Sequence, residues 1–407
     1  MEKDIMQIVN DHEEWRFYNC INLIPSENIT SPQVRAILSS DMGHRYTHPC
    51  NMEVHGSLVE NSYRGTKFTD EAEEECRRLA CRVYKSKFAC AKPLSGHISA
   101  MISLIAAMKK GDRMASVAAD KGGYDGYGDG YFPDILGYKN LDLPFDEKTW
   151  RLDTEQSVAL IKKTKPKSVI LGQSFILFPY DLDVIRNACN AAKSHLLYDA
   201  SHVLGLIAGG QFQPEPLAGG VDLLYGSTHK TFFGPQGGII LTNNDELFER
   251  IEKNITWRTM DNAHWNRVAA LAQALAEMEK FGAAYARQTV QNARVLGKAL
   301  FDRGFPVKFR EQGFTDSHQL AIDLKKLSIK HDLETNDLAK VLEKNNIITD
   351  AVGRIGTNEI TRLGMKEPEM ERLAELIAKV LKEKEKANVI EEVRLLRKDF
   401  EIEYCFK

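Results

Sequence analysis

A lysine and an aspartate, each just past a short apolar run, are the residues of this chain best suited to chemistry. Lys230 lies in Tyr225–Gly238 (YGSTHKTFFGPQGG), behind Val221-Asp222-Leu223-Leu224 and among Ser227, Thr228 and His229. Short hydrophobic runs bounded by glycine and polar residues read as buried strands, which puts the lysine at a strand end. The bulk of Thr231-Phe232-Phe233 beside it favours desolvation. Desolvation lowers an ammonium pKa and leaves an amine able to attack an aldehyde. A lone lysine at a strand edge also reads as a snorkelling surface charge. Against that stands Ser194–Gly205 (SHLLYDASHVLG), a second apolar run that ends in Asp199 and is followed by His202. Asp199 and Lys230 are 31 residues apart, one αβ repeat of an open sheet. Such sheets bind ligands at the carboxyl ends of their strands. An amine and a carboxylate so placed suit pyridoxal 5'-phosphate: the lysine takes the aldehyde, and the aspartate keeps the pyridine nitrogen protonated, which makes the ring an electron sink.

A phosphate needs donors, and Lys92-Pro93-Leu94-Ser95-Gly96-His97 offers them ahead of a helix carrying Ile98, Met101, Ile102, Ile105 and Met108. Free N–H groups at a helix start, with the dipole behind them, cradle an anion. Taken alone, Ser95 is more often just an ordinary helix cap. Gly122–Gly130 (GGYDGYGDG) is not taken as a dinucleotide fingerprint, because Phe132-Pro133 is expected to prevent the helix such a motif opens. Tyr124 within it reads as a loop aromatic, and Ser174 follows the strand Ser168–Gly172 at its end. His44 and His48 (HRYTH) have i,i+4 spacing, but Pro49 and the lack of a third ligand argue against a metal site.

Three segments together carry a resemblance. Ile21–Asn28 (INLIPSEN), Tyr198–His202 (YDASH) and Ser227–Thr231 (STHKT), with Gly234-Pro235 following, resemble the serine hydroxymethyltransferase family, in the same order and from about residue 10 to the end. The resemblance implies an α/β architecture of the aspartate-aminotransferase-like fold (fold type I of pyridoxal-phosphate enzymes). It would have a large domain built on a mostly parallel seven-stranded sheet and a smaller α+β C-terminal domain. It gives Lys230 and Asp199 the roles above and sets Ser95, Gly96, His97 and Ser227 around the phosphate. Tyr124 would cover one face of the cofactor ring, Ser174 and His202 would lie near its phenolic oxygen, and His229 would be positional. Both histidines also read as satisfied core residues. Arg354, in Gly353–Thr357 (GRIGT), and Ser26 match the family's substrate-carboxylate contacts; without that context Arg354 is one surface arginine among many. Tyr46 and Tyr63 match tyrosines that reach into a partner subunit's site, which implies a homodimer with shared active sites. The implied activity makes or breaks the Cα–Cβ bond of a β-hydroxy amino acid.

Several positions depart from the family pattern. The acid/base glutamate two residues after Tyr46 is here His48, and the Tyr46–Tyr63 spacing is longer, so Glu53 is a second candidate for that role. Ser317 stands at a pteridine-contacting asparagine, Asp125 at a hydrophobic folate contact and Gln236 at an arginine. The long loop before Arg354 is reduced to Asp350-Ala351-Val352-Gly353. These changes touch the half of the site that would hold a one-carbon carrier. Serine–glycine interconversion with a modified reduced pterin leads. A pterin-independent aldolase or transaldolase using His48 as base stays open, as does a non-catalytic homologue, although a scaffold needs none of Lys230, Asp199, Ser174 and Arg354.

The elements that must position these groups follow from the rest of the chain. At 407 residues the expected division is an N-terminal arm (1–20), a cofactor-binding domain (21–282) and a small domain (283–407). Strands and helices alternate from 88 to 242. Residues 1–18 are expected as a short amphipathic helix, 19–66 as mostly irregular, and Thr69–Val83 as a helix. Two helices are expected over Trp265–Met278 and Ala283–Arg303. Beyond them come short strands at Val307–Phe309, Gln319–Leu324 and Ile347–Thr349 around a helix Thr335–Lys344, then a long helix Glu367–Lys386. The net charge of −3 and pI near 6.4 give no nucleic-acid footprint, and no run of about 18 apolar residues suggests a membrane span. Seven cysteines without CxxC spacing fit a reducing cytoplasm.

Overall fold

The computed structural model describes residues 4–331, 337–383 and 389–407, which pack as two compact units. One comprises 30–283 with 406–407, the other 1–29 with 284–405.

The first unit is built on seven strands: β1 (Phe88–Cys90), β2 (Arg113–Ser116), β3 (Lys139–Asp142), β4 (Ser168–Leu171), β5 (His195–Asp199), β6 (Leu223–Ser227) and β7 (Gly238–Thr242). Their order across the sheet is β1-β7-β6-β5-β4-β2-β3, and only β7 runs against the others. All residues of β4, β6 and β7 are buried, as expected of strands covered on both faces by helices. The helix after β1, Gly96–Ala107, is buried around most of its girth through Ser99, Ala100, Ser103, Leu104 and Ala107. It therefore belongs inside the core with Tyr127, Phe132, Tyr225 and Ile240, rather than showing the single apolar stripe expected.

Other departures have local causes. Pro133 does not stop a helix: Phe132–Leu136 is one, with the proline in its first turn, where no N–H is needed. Its five residues still make no dinucleotide fold. Residues 19–66 contain an exposed β-hairpin, Pro49–Val54 paired with Ser57–Asn61, closed by His55 and Gly56 at φ 49° and 78°. The two helices expected after Trp265 are one, Trp265–Asp302. Gly282 does not end it; a Cβ there would meet the Met278 sulfur at 2.6 Å, and Gly209 Cα lies 3.8 Å away, so this glycine serves close packing.

The second unit has its own core, in which Ile21 and Leu23 join Leu296, Leu300, Leu320, Ile347, Leu373, Leu376 and Val380. Ile21–Asn22 pairs in parallel with Ile347–Ile348, and Gln319–Ala321 pairs antiparallel with Arg354–Gly356. The N-terminal segment begins as a helix, Ile5–His12, and continues as a π-helical turn, Glu13–Asn19. Val307 makes only a bridge to Ile322, since Phe309 takes a left-handed φ of 62°. Leu324 opens a helix, Leu324–His331, rather than ending a strand. That helix carries three lysines in eight residues, which blurs its periodicity, and Ile390–Lys398 is a further helix beyond those expected. Of the helices expected at 335–344 and 367–386, the described parts are Asp337–Glu343 and Glu367–Glu383; residues 335–336 and 384–386 lie outside the described residues. Among the described residues no helix is long and apolar enough to cross a membrane.

Candidate active site

Parallel pairing of β5 with β6 sets Asp199 opposite Tyr225, so both strands end at the same edge of the sheet. Asp199, only 8% exposed, accepts three hydrogen bonds. The Ser201 N–H (3.0 Å) and hydroxyl (2.6 Å) donate to Oδ1, and the Tyr127 hydroxyl (2.7 Å) donates to Oδ2. All three of these donors are neutral. Gly172, just past β4, has φ 150°; a Cβ there would lie 2.6 Å from the Asp199 carbonyl oxygen, so only glycine lets that strand exit pass beneath the aspartate.

Lys230 follows β6 on a loop tied at both ends. Thr228 donates its hydroxyl to the Pro235 carbonyl (2.7 Å) and its N–H to that of Gly237 (3.1 Å). On the other side of the lysine, Thr231 Oγ1 donates to the His202 carbonyl (2.7 Å) and accepts from the Gly205 N–H (3.1 Å). The amine is thereby fixed against the segment that carries Asp199. Burial, reinforced by the Lys230 charge, pushes His229 down to about 4. The imidazole is therefore neutral near pH 7, and its buried Nδ1 has no partner among the described residues.

Ser95 caps the helix Gly96–Ala107 by accepting from the Ile98 N–H (3.1 Å), and its side chain is not among those lining the cavity in front of Lys230. Gly96 is: a Cβ at this position would fall 2.1 Å from Ser227 Oγ. The closeness of helix start and strand end leaves a cradle that a side chain would fill, which is what a phosphate group requires. His97 hydrogen-bonds through Nδ1 to the Tyr124 hydroxyl (2.7 Å) and stacks on Phe132, with ring centroids 4.4 Å apart. Burial lowers its pKa. The Tyr124 pKa is raised, by burial first and then by the Asp199 charge.

One cavity thus gathers Gly96, His97, Tyr124, Ser174, Asp199, His202, Ser227 and Lys230. Sequence reasoning missed Gln173 and Ser201, which also line it, and Tyr127 and Tyr225, which lie behind Asp199. Ser201, two residues from Asp199, was within reach of a turn argument; a tyrosine inside a buried strand carries no such signal. The Gln173 amide is anchored by its donation to the Lys121 carbonyl (3.0 Å) and by the Tyr180 hydroxyl (2.8 Å). A buried carboxylate beside a partly buried amine, with a glycine cradle nearby, fits a phosphorylated aromatic aldehyde whose ring nitrogen accepts a proton.

Tyr46, His48 and Tyr63 do not line this cavity. They line a second, wider one of about 760 Å³ on the same unit, flanked by the hairpin. The tyrosine rings lie 5.4 Å apart, and the His48 ring sits 4.8 Å from that of Trp257, which is 73% exposed. The Asn61 side chain accepts from the His48 N–H (3.1 Å), and Ser62 Oγ lies 3.4 Å from its Nδ1. His44 belongs to a 3₁₀ turn, Asp41–His44, and extended chain follows, so the HRYTH spacing is not helical. Glu53 is paired with Leu58 on the hairpin face opposite Met52; Met52 lines the cavity and Glu53 does not.

The carboxylate-binding candidates belong to the second unit. Asp350 Oδ1 accepts from the N–H groups of Val352 and Arg354 (3.0 Å each), and its Oδ2 accepts from Arg354 Nε (2.7 Å). The shortened loop is therefore a compact aspartate turn that orients the guanidinium. Gly356, two residues on, packs against Pro25, and its N–H donates to the Leu23 carbonyl (2.7 Å). That contact holds the Pro25-Ser26 turn beside the Arg354 strand. Ser317 is fully buried, its Oγ accepting from the Gln319 N–H (3.1 Å), whereas Asp125 and Gln236 are exposed.

A family model described as serine hydroxymethyltransferase matches residues 1–377. Serine hydroxymethyltransferase of Methanopyrus kandleri is 39% identical over 417 aligned positions, covering 99% of this chain and 94% of that one. The enzyme of Korarchaeum cryptofilum is 40% identical, with 98% and 95% covered. Among solved structures, L-threonine transaldolase from Pseudomonas fluorescens, in its internal aldimine state, superposes with a TM-score of 0.87 at 26% identity, covering 98% of this chain and 93% of that one.

Proposed function

The chain belongs to the serine hydroxymethyltransferase family, and on that premise we propose that it interconverts serine and glycine by breaking and making the Cα–Cβ bond. The observation that carries this reading is the shared cavity of Lys230 and Asp199 at neighbouring strand ends, with the Gly96 helix start beside them. Pyridoxal phosphate, when bound, supplies an electron-withdrawing ring that stabilises negative charge at the substrate Cα.

This chain's residues supply the rest. Lys230 binds the aldehyde carbon, and Asp199 holds a proton at the ring nitrogen. Gly96, His97 and Ser227 receive the phosphate, with Ser95 fixing the helix start that presents them. Tyr124, held by His97, covers the ring; Ser174 and His202 flank it, and His229 stays neutral as a packing group. Arg354, oriented by Asp350, pairs with the substrate carboxylate together with Ser26, because a planar permanent cation grips a carboxylate in one orientation. That orientation decides which bond at Cα stands perpendicular to the ring. The exposed aromatic surface of Tyr46, Tyr63 and Trp257 fits a second copy of the chain, so that in a homodimer His48 of one protomer takes the β-hydroxyl proton in the site of the other.

A second reading has its own support. The likeness to a transaldolase, together with histidine in place of glutamate, favours an enzyme that passes the aldehyde on without a pterin. Incubating the protein with serine, threonine, allo-threonine and α-methylserine, with and without reduced pterin, separates the two. Glycine from serine only when pterin is present supports the transferase. Rapid cleavage of allo-threonine with serine inert overturns it in favour of the aldolase.

A further inference from the structure

Behind Asp199 lies a pair of tyrosines to which the roles above give no part. Tyr127 (1% exposed) comes from the 3₁₀ turn Asp125–Tyr127, and Tyr225 (0%) from β6. The Tyr127 oxygen is 2.7 Å from Asp199 Oδ2 and 2.7 Å from the Tyr225 hydroxyl. Gly126 makes the turn feasible, since a Cβ there would stand 2.5 Å from the Tyr124 ring. One short turn therefore sends Tyr124 into the cavity and Tyr127 behind the aspartate.

We propose that Tyr225 and Tyr127 are positioning residues: a one-way hydrogen-bond chain that holds Asp199 in its ionised form and so fixes a proton on the cofactor's ring nitrogen. The inference rests on the pyridoxal-phosphate reading above. Its direction follows from proton counting. An ionised carboxylate only accepts, so Tyr127 spends its single proton on Oδ2 and must accept from Tyr225. Every proton is then used. Were Oδ2 protonated, the chain would reverse, and the Tyr225 O–H would be a buried donor with no acceptor. An unsatisfied buried donor costs more than an unfilled lone pair, so the arrangement disfavours the protonated acid. Protonation at Oδ1 is opposed as well, because the Ser201 N–H and hydroxyl both donate there while Ser201 Oγ accepts from the Ser227 N–H (3.1 Å).

Burial also pushes both tyrosines well above their usual range, so they remain protonated donors. The other titratable groups around the carboxylate are Lys230 and His202, which line the same cavity, and Tyr124, Tyr180 and Tyr198, whose hydroxyls feel its charge.

The test compares how the full-length protein, stripped and reloaded, binds pyridoxal phosphate and its analogue with CH in place of the ring nitrogen. The parent is expected to prefer pyridoxal phosphate, and Asp199→Ala to lose that preference. Tyr225→Phe, which removes only the far hydroxyl, is expected to reduce the ratio about threefold, and Tyr127→Phe about tenfold. The pH at which the bound cofactor's absorbance changes should move in the same order. An unchanged ratio and titration in Tyr225→Phe, with thermal stability lowered, overturns the proposal and makes the pair structural. A parent that binds neither compound, or both equally, defeats the cofactor reading itself.

Discussion

The two cavities of the sheet-bearing unit are built in opposite ways. In the Lys230 cavity Asp199, His202 and Ser227 are buried beside strand ends, Lys230 is half-buried, and the threonines on either side of the lysine are tied to backbone. In the hairpin cavity Tyr46, His48 and Tyr63 sit on loops; the two tyrosines are nearly half exposed, and the nearest ring to His48 is an exposed tryptophan held at φ 64°. The difference suggests a division of labour. Charge stabilisation needs fixed dipoles in a dry place, which one chain can build alone. Handling the departing aldehyde, in the function proposed above, needs an adaptable surface.

The largest expected break in that contrast is Lys230→Ala. Turnover of amino acids should fall by at least about 10³-fold, with no covalent attachment of cofactor by mass spectrometry. Parent-like turnover would sink the whole account. His48→Gln should lower kcat about 10²-fold while the bound cofactor's spectrum stays as in the parent, because it removes a proton acceptor from the other cavity. A change in that spectrum would join the two cavities that the contrast separates. Arg354→Lys should raise KM for the amino acid about tenfold with a smaller effect on kcat, since an ammonium cannot reproduce the planar fork. An effect on kcat alone would place the arginine elsewhere in the chemistry.

The smallest effect concerns pH and the two units. Glu359, in the second unit, is pushed up to about 7 by burial. Asn22, which also donates to Glu27 (2.8 Å), donates to it at 2.7 Å and only partly offsets that burial. The folded state binds this proton more tightly than the unfolded chain, so the contribution is complete below the ordinary glutamate pKa and is lost as pH rises through about 7. His229, in the first unit, has the opposite sign. Its contribution is present above the ordinary histidine pKa and is lost as pH falls through about 4. Thermal melts of Glu359→Gln against the parent should diverge by a few degrees between roughly pH 5 and 7, the parent losing ground as pH rises. Parallel melting curves would show that Glu359 does not titrate there.

Much of this was legible in the chain. Alternating apolar runs and polar strand ends gave the sheet, because a strand buried on both faces must be written as a continuous apolar run and the residue after it is where chemistry can be exposed. Lys230 and Asp199 were found by that reading, Gly96 from a helix start, and Ser174 and His202 with the help of the family resemblance, and they share one cavity. Helix continuity through Gly282 and the helix Leu324–His331 were not legible, since a glycine reads alike as a break or a close contact, and lysine-rich turns carry little periodicity. The hairpin at 49–61 was visible only as extra spacing between two tyrosines.

Local sequence by itself determined which residues stand at strand ends and helix starts, since backbone periodicity and glycine placement act over a few residues. Only the tertiary structure decided which of those ends face one another and what supports them from behind. Tyr127 reaches Asp199 across 72 residues and Tyr225 across 98, and nothing near any of the three in the chain announces the contact. Strand order and register, set by burial of the whole sheet, brought them together.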